Sequence, residues 1–210
     1  MSTSSGLDVV RRPGGRTANV TARLHEAVLD LLVDGGADAC TFKAVAERAG
    51  VERSTLYRRY PDRWEMMIDA FMARAAADVM PDVGDSFGHD LASILHKLAG
   101  MLGTPLGAAL VEVAAELRAR SGSDYSRAYF DRRMAQLDPM FDAAIARGEL
   151  PQDVNREELF TAAAGPIYFR TFIAARPVDD DFIHAVVASV CWLYCSPSAA
   201  AKVALPARIA

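Results

Sequence analysis

At 210 residues the chain is long enough for one or two domains with a buried core. Hydrophobic residues make up 51% and charged residues 24%, which is typical of a soluble globular protein. No apolar run approaches the roughly 20 residues of a membrane span, and the N-terminal segment lacks the apolar core of a signal peptide. Three cysteines fit a reducing compartment better than a disulfide framework. The sequence therefore predicts a cytoplasmic protein that does not enter a membrane.

The formal net charge of −4 argues against a nucleic-acid partner until the charges are located along the chain. The segment from residue 43 to residue 63 is basic. Its six cations are Lys43, Arg48, Arg53, Arg58, Arg59 and Arg63, and its three acids are Glu47, Glu52 and Asp62. Phosphate affinity depends on the charges that reach the nucleic-acid backbone and not on the sum over the chain. The segment is therefore compatible with DNA binding.

The chain begins with a segment rich in Ser, Gly and Arg, and we expect residues 1–15 to form a disordered basic arm. Apolar residues at helical spacing then predict a first helix over 17–34. Gly35 and Gly36 follow this pattern, and glycine commonly ends a helix because it adopts the left-handed backbone conformation without strain.

The next segment has the pattern of two short helices joined by a glycine turn. Thr41 is a good N-cap for a helix with Phe42, Val45 and Ala49 on one apolar face, and Gly50 ends that helix. In the second helix, Val51, Leu56 and Tyr60 are spaced to pack inward, while the remaining positions are polar and basic. This arrangement predicts a helix-turn-helix, a motif whose second helix enters the DNA major groove.

These residues resemble the TetR family of transcriptional repressors. The resemblance is carried by residues 46–51, by residues 54–60, by Pro61-Asp62-Arg63 and, further back, by Gly15-Arg16 and the helix over 17–34. It covers roughly the first third of the chain. The family usually has Phe at the position of Tyr60 and Lys at the position of Arg63, and both differences keep an aromatic ring and a cation in place.

The motif and the resemblance together suggest a set of DNA-contacting residues: Arg16, Thr41, Arg53, Ser54, Thr55, Tyr57, Arg58 and Arg63. Arg53, Ser54 and Thr55 open the second helix and are candidates for base contacts. Tyr57 and Arg58 stand where family members contact DNA. The alternative is that Tyr57 packs on the first helix and Arg58 is only a solvated charge. Thr41 and Arg63 lie at helix N-termini, a geometry suited to phosphate.

The rest of the sequence predicts an all-α protein of about nine helices, without strands. The expected boundaries are a capping box at Asp62 with Glu65, and later helices over about 86–102, 104–120, 124–147, 155–175 and 179–194. Pro139 should bend or interrupt the helix over 124–147. We assign a helix-turn-helix domain to residues 16–61, a ligand-binding and dimerisation domain to 62–196, and a flexible tail to 197–210.

The two helices over 155–175 and 179–194 are apolar over more than one face, which indicates burial on several sides or contact with a partner subunit. The resemblance implies that they form a four-helix bundle with a second copy of the chain. The predicted interface residues are Pro166, Ile167, Arg170, Ile173, Val187, Val190 and Tyr194.

Helix position alone suggests a pocket lined by Phe71, Met101, Tyr129, Met134 and Phe169, although plain core is an equal alternative for each residue. Cys191, Cys195 and His184 have a spacing that a metal or redox sensor uses, but buried Cys behaves mostly as a small hydrophobic residue. We therefore predict no metal site and no cofactor. No motif of a phosphate loop, a nucleophile elbow or a metalloprotease is present, so the chain is not expected to be an enzyme.

The sequence is best interpreted as a homodimeric transcriptional regulator, most simply a repressor. It would be released from a near-palindromic double-stranded DNA operator by a small apolar effector. The alternative is an all-helical small-molecule-binding or interaction module without sequence-specific DNA binding.

Overall fold

The computed structural model describes residues 14–81, 83–121 and 124–200. Within these residues the chain is helical and contains no strand. The helices are α1 (Gly14–Ala39), α2 (Phe42–Ala49), α3 (Arg53–Arg59), α4 (Arg63–Asp78), α5 (Phe87–Leu102), α6 (Pro105–Ser121), α7 (Asp124–Ala146), α8 (Arg156–Tyr168), α9 (Asp180–Tyr194) and the short α10 (Pro197–Ala200), with a π-helical turn over Phe169–Ile173 after α8. The predicted all-α class is confirmed.

The ends of the chain lie partly outside this description. Residues 1–13 of the predicted basic arm and residues 201–210 of the predicted tail are not described. Gly14 and Gly15 already belong to α1, and Pro197–Ala200 forms a helical turn where the sequence predicted a flexible tail. A Pro at the first helical position fits this turn, because its missing N–H would have no partner there.

The first helix shows the predicted glycine break. Gly36 has a left-handed φ of 66° with ψ −166°, so the regular helix stops at this pair although helical turns resume up to Ala39. The short connection that follows leads directly into α2. The break thus sets the angle at which the helix-turn-helix leaves α1.

The caps of the motif form as the sequence predicts. The Thr41 Oγ1 accepts a hydrogen bond from the Ala44 N–H at 3.1 Å, and Gly50 ends α2 with φ 63° and ψ 44°. The Asp62 carboxylate accepts hydrogen bonds from the N–H groups of Trp64 (2.8 Å) and Glu65 (2.9 Å) at the start of α4. These contacts satisfy N–H groups that a helix start leaves without intrahelical partners.

Pro139 in α7 and Pro166 in α8 have different effects on the helices that contain them. Pro139 lies inside α7 without interrupting it, on a part of the helix that is exposed to solvent, where a lost backbone hydrogen bond is tolerated because water can replace it. Pro166 in α8 is followed by wider hydrogen bonding, in which the Ala174 N–H donates to the Phe169 carbonyl at 2.9 Å. The helix predicted over 155–175 therefore ends as a π-helical turn.

The buried side chains form two clusters. The first contains residues of α1, α2, α3 and α4 with three residues of α6, and the second contains residues of α5, α7, α8 and α9. The buried residues of α4 from Met66 to Met72 belong to the first cluster, although the predicted domain boundary lies at residue 61. Ala75 and Val79, further along α4, approach the second group of helices. The α4 helix therefore joins the two parts of the chain.

A hydrogen-bond network on Asp69 of α4 fixes the end of α3. The Asp69 Oδ2 accepts a hydrogen bond from the Tyr60 hydroxyl at 2.7 Å and lies 2.9 Å from His25 Nε2 of α1 and 3.5 Å from Arg59 Nη2. The hydrogen bond from His25 is the main reason that the pKa of Asp69 falls from 3.8 to about 2. Burial and the Asp69 carboxylate raise the pKa of the Tyr60 hydroxyl, so it remains a donor.

We expect Asp69→Asn to destabilise the protein in a pH-dependent way. The folded-state pKa is depressed, so the contribution of the carboxylate is present above about pH 4 and is lost as the pH falls towards 2. A shift of this size corresponds to about 2 kcal/mol, and because the side chain is 32% exposed, screening lowers the expected loss to about 1–2 kcal/mol.

The measurement is urea unfolding followed by circular dichroism, with the variant compared with the parent chain at pH 6 and pH 2.5. The difference in the free energy of unfolding should shrink at the lower pH. Asp78→Asn is the control, because Asp78 forms an exposed pair with Arg74 on the same helix and such pairs contribute little. An Asp69→Asn difference that is the same at both pH values would contradict the assignment.

Candidate DNA-binding surface and ligand cavity

The α3 helix has one buried side and one exposed side. Leu56 is completely buried and Thr55 is half-buried, while Arg53, Ser54 and Arg58 are exposed. The residues predicted to read bases therefore lie on the solvent side of the helix or at its edge. The surface is formed before any DNA is bound, because Leu56 and Tyr60 fix the other side in the core.

Tyr57 is 65% exposed, and its ring stands edge-on against the ring of Phe42, with 4.8 Å between the centroids and 89° between the planes. The ring of Tyr57 therefore contacts α2, and most of the side chain is exposed to solvent. A ring held in this way keeps a hydroxyl at the surface without a large loss of side-chain freedom. This is the geometry expected of a phosphate contact.

The arginines of the motif differ in their intramolecular contacts. Arg53 Nη2 lies 3.2 Å from the Glu47 carboxylate on α2. Arg63 donates to the Ala37 carbonyl at 3.4 Å, lies 3.3 Å from the Asp38 carboxylate and stacks on the Trp64 ring at 4.6 Å. Arg63 therefore also supports the turn between α1 and α2. The Arg16 side chain lies outside the described part of the structure.

A cavity of about 290 Å³ lies between α4, α5, α7 and α8. Most of its wall is apolar, and its polar side chains are Tyr129, Arg133, Thr161 and Tyr168. The complete lining is Ala75, Val79, Leu98, Met101, Tyr129, Phe130, Arg133, Phe160, Thr161, Ala164, Gly165 and Tyr168. A concave apolar site with few polar groups is the usual form of a small-molecule site.

Two of the five predicted pocket residues, Met101 and Tyr129, line this cavity. Phe71 lines only a neighbouring void of about 10 Å³. Met134 and Phe169 do not line this cavity. Met134 packs against the second core cluster, and Phe169 is exposed on the surface.

Arg133 and Tyr168 also line the cavity and were not predicted from the sequence. The available signal was helical spacing. Tyr129 and Arg133 are four residues apart on α7, and Thr161 and Tyr168 are seven residues apart on α8, so each pair shares one helix face. This spacing does not determine how α7 and α8 are oriented relative to each other, and that orientation brings the two faces together.

Four large apolar side chains are exposed on the π-helical turn after α8 and near the C-terminal end of α9. They are Phe169 and Ile173 on the turn and Trp192 and Leu193 on α9, and the last two side chains are 69% and 62% exposed. Exposed apolar side chains of this size are a common feature of protein association sites. We call these four residues the apolar patch.

The predicted interface residues divide into buried and exposed ones. Ile167 is completely buried, and Val187 and Val190 are 3% and 2% exposed, so they face the core of their own chain and have almost no surface to offer a partner. Ile173 is exposed as expected, and Pro166 and Tyr194 are half-buried. Arg170 donates to the Pro177 carbonyl at 2.7 Å and stacks on Phe182 at 4.2 Å, so it holds the turn before α9.

In the described part of the chain, no group of three or more His, Cys, Asp or Glu side chains could hold a metal ion. No single described helix is long and apolar enough to span a membrane, and only the bent pair Phe87–Leu102 and Pro105–Glu116, with 87° between its members, reaches that length and composition jointly.

A helix-turn-helix with an exposed recognition helix, joined through α4 to a helical domain that encloses a cavity, defines a one-component DNA-binding regulator. Residues 24–70 match the family model of bacterial regulatory proteins of the tetR family, and residues 80–190 match that of the tetracyclin repressor-like C-terminal domain. The chain belongs to the TetR family and is a DNA-binding transcriptional regulator, not an enzyme.

Three relatives illustrate the range of the family match. The regulator YdeS of Bacillus subtilis is 29% identical over 170 residues, which cover 78% of this chain and 85% of YdeS. The regulator Rv1556 of Mycobacterium tuberculosis is 30% identical over 171 residues, covering 80% and 83% of the two chains. AqdR of Rhodococcus erythropolis is 27% identical over 183 residues, covering 84% and 88%. All three are named HTH-type transcriptional regulators.

Solved structures share the fold. The TetR family regulator SCO0332 is 28% identical, with a TM-score of 0.68 over 85% of this chain and 100% of its own. The flavonoid-responsive regulator FrrA has a TM-score of 0.59 at 16% identity, over 86% and 98% of the two chains. SmeT, the repressor of a multidrug efflux pump of Stenotrophomonas maltophilia, has 0.55 at 14% identity, over 91% and 98%. The last two likenesses concern the fold alone.

We expect Tyr57→Phe to weaken operator binding by about 0.5–1.5 kcal/mol, the usual contribution of one hydrogen bond. The ring still packs against Phe42, so the melting temperature should stay unchanged. The measurement is a titration of labelled operator at fixed salt, beside a thermal melt followed by circular dichroism. Unchanged affinity would show that the hydroxyl does not contact DNA.

We expect Arg58→Ala to lower the slope of log affinity against log salt concentration by roughly one unit per subunit, because one phosphate contact is lost. Arg74→Ala removes the same charge from a helix outside the motif, where Arg74 pairs with Asp78, and it should leave the slope at the parent value. Equal slopes for both variants would place Arg58 away from the DNA backbone.

Proposed function

We propose that this regulator is a homodimeric repressor that leaves its operator when a small molecule occupies the cavity. The observation that carries the proposal is the position of α4, which begins next to the helix-turn-helix and ends in the cavity wall. In a dimer, two α3 helices about 34–36 Å apart would read successive major grooves of a near-palindromic site. The regulator would therefore act in the cytoplasm, where its operator lies.

The physical link runs along the length of α4. Asp69 binds the Tyr60 hydroxyl at the end of α3, and ten residues later Val79 lines the cavity. The two positions are separated by about 15 Å of helix. A ligand that displaces the Val79 end of α4 therefore also displaces the Tyr60 end, because a helix moves as a rigid body. The spacing of the two recognition helices would change with it.

Thermodynamic linkage determines how strongly an effector can weaken DNA binding. An effector that favours the DNA-free arrangement must bind it more tightly than the DNA-bound one, by typically about 1–3 kcal/mol of coupling. Two proteins of the same fold support a small-molecule-responsive repressor: FrrA is named a flavonoid-responsive regulator and SmeT the repressor of a multidrug efflux pump. For this chain the effector remains a proposal that rests on the cavity.

The proposed dimer uses the apolar patch together with Pro166 and Tyr194. Four large exposed apolar side chains are unfavourable in water, and burying them against a second copy removes that cost. A two-fold interface uses the same surface on both subunits. The four side chains lie on the turn that ends α8 and on α9, so two copies that bury them would pair these helices as a four-helix bundle.

The direct test of the function is selection of bound sequences from random double-stranded DNA with the full-length chain. We expect enrichment of a near-palindrome, with half-sites separated by about one helical turn or a multiple of it. Enrichment of a single asymmetric half-site, or of no sequence at all, would overturn the proposal of a two-fold repressor.

The proposed dimer interface can be tested by placing charges in it. Trp192→Glu together with Leu193→Glu should convert a dimer into a folded monomer at micromolar concentration, because charges would be buried in an apolar interface. Sedimentation velocity measures the mass and circular dichroism measures the helix content. Val33→Glu, at another exposed apolar position on α1, is the control and should stay dimeric. A dimeric Trp192 and Leu193 variant would place the interface elsewhere.

A further inference from the structure

The cavity contains a buried cation without an acidic partner. Arg133 is 7% exposed, and its guanidinium donates to the Val79 carbonyl at 2.6 Å and to the Gln136 side-chain oxygen at 3.0 Å. Both acceptors are neutral. Among the described residues, no Asp or Glu lines the cavity or forms an ion pair with Arg133. Its charge therefore has no counter-charge in the described structure.

The other buried charges of the described residues are paired, which makes Arg133 different. Asp90 and Glu149 are both buried, and Arg147 lies between them, 3.4 Å from Asp90 Oδ2 and 2.8 Å from Glu149 Oε2. Pairing of this kind is the normal way to bury a charge, because an unpaired ion loses its hydration without compensation.

The charge of Arg133 persists at neutral pH. Burial lowers the pKa of its guanidinium, but the ordinary value is so high that an arginine remains protonated in proteins. Its planar fork carries five N–H donors, and two neutral acceptors do not use all of them. Donors are therefore left for a group inside the cavity.

Two phenols strengthen the same site. Tyr129 stands one helical turn before Arg133 on α7, and Tyr168 faces the cavity from α8. Burial raises the pKa of both hydroxyls, so both are neutral and can donate a hydrogen bond. A guanidinium with two nearby O–H donors is complementary to an anionic group. The rest of the wall is apolar and aromatic, with Phe130 and Phe160 among its residues.

We propose that the cavity takes an apolar molecule that carries one anionic group, such as a carboxylate, and that Arg133 binds that group with help from Tyr129 and Tyr168. The proposal rests on the proposed role of the cavity as an effector site and narrows its ligand class from apolar to amphipathic and acidic. It also gives Arg133 a second role. The same guanidinium holds the Val79 carbonyl at the C-terminal end of α4, so an anion that attracts it acts on the helix that leads to α3.

The test uses matched probes that differ in charge but hardly in shape: octanoate with octanamide, and 2-naphthoate with 2-naphthamide. Thermal melts and isothermal titration of the full-length chain measure binding. We expect each acid to raise the melting temperature with increasing concentration. Each amide should bind at least about tenfold more weakly, because a hydrogen bond between a guanidinium and a carboxylate is stronger than one to a neutral amide. Amides that bind as tightly as the acids, or acids that do not bind, would overturn the proposal.

Two variants locate the binding group. Arg133→Met keeps the apolar stem and should bring the acid and its amide to similar dissociation constants. Because this variant also loses the bond to Val79 and can fail to fold, the double variant Tyr129→Phe with Tyr168→Phe is made beside it. That variant should fold like the parent and weaken the acids more than the amides. Acids that bind both folded variants as tightly as the parent would place the anion elsewhere.

A third readout separates this inference from the proposed function. Release of the selected operator is measured with each probe. If the acids bind in the cavity but do not release DNA, the anion site stands and the effector mechanism is wrong. If the amides bind more tightly and release DNA while the acids do not, the effector mechanism stands and the anion site is wrong.

Discussion

The recognition helix of this regulator is too short to hold its own position. It has seven residues, fewer than an isolated helix needs to be stable in water. Its place is therefore set by contacts at its ends and along its buried side. At its C-terminal end the hydroxyl of Tyr60 meets the Asp69 carboxylate, which also receives His25 of α1. One side chain of α4 thus constrains the angle between α1, α3 and α4. Any change in the position of α4 must be transmitted to α3 or must break these bonds.

Helix caps and turns were predicted correctly from the sequence where a residue type has one usual structural role. Thr41 and Asp62 were expected to cap helices, and each accepts the expected backbone hydrogen bond. Gly50 was expected to have a left-handed conformation and has one. These features depend on neighbours within a few residues in the chain. The same holds for the helix-turn-helix, whose inward and outward positions follow from helical periodicity.

Features that depend on the packing of distant helices were predicted less well. The apolar character of α9 was recognised, but periodicity could not distinguish the side that faces its own core, with Val187 and Val190, from the side that carries Trp192 and Leu193. Both sides are apolar, so the usual contrast between apolar and polar faces was missing. Arg133 was overlooked for a related reason. A charge on a helix normally indicates the solvent side, and its burial depends on α4, which is far away in sequence.

The two tryptophans of the chain lie in different regions and can serve as separate fluorescent reporters. Trp64 stacks under the Arg63 guanidinium beside the helix-turn-helix, and Trp192 is exposed in the apolar patch. Indole emission depends on its surroundings, so each ring reports on a different event without an added label. A chain with Phe in place of Trp192 would fluoresce from the DNA-binding end alone, and one with Phe in place of Trp64 would fluoresce from the proposed subunit contact. Stopped-flow mixing of such chains could order the two events in time.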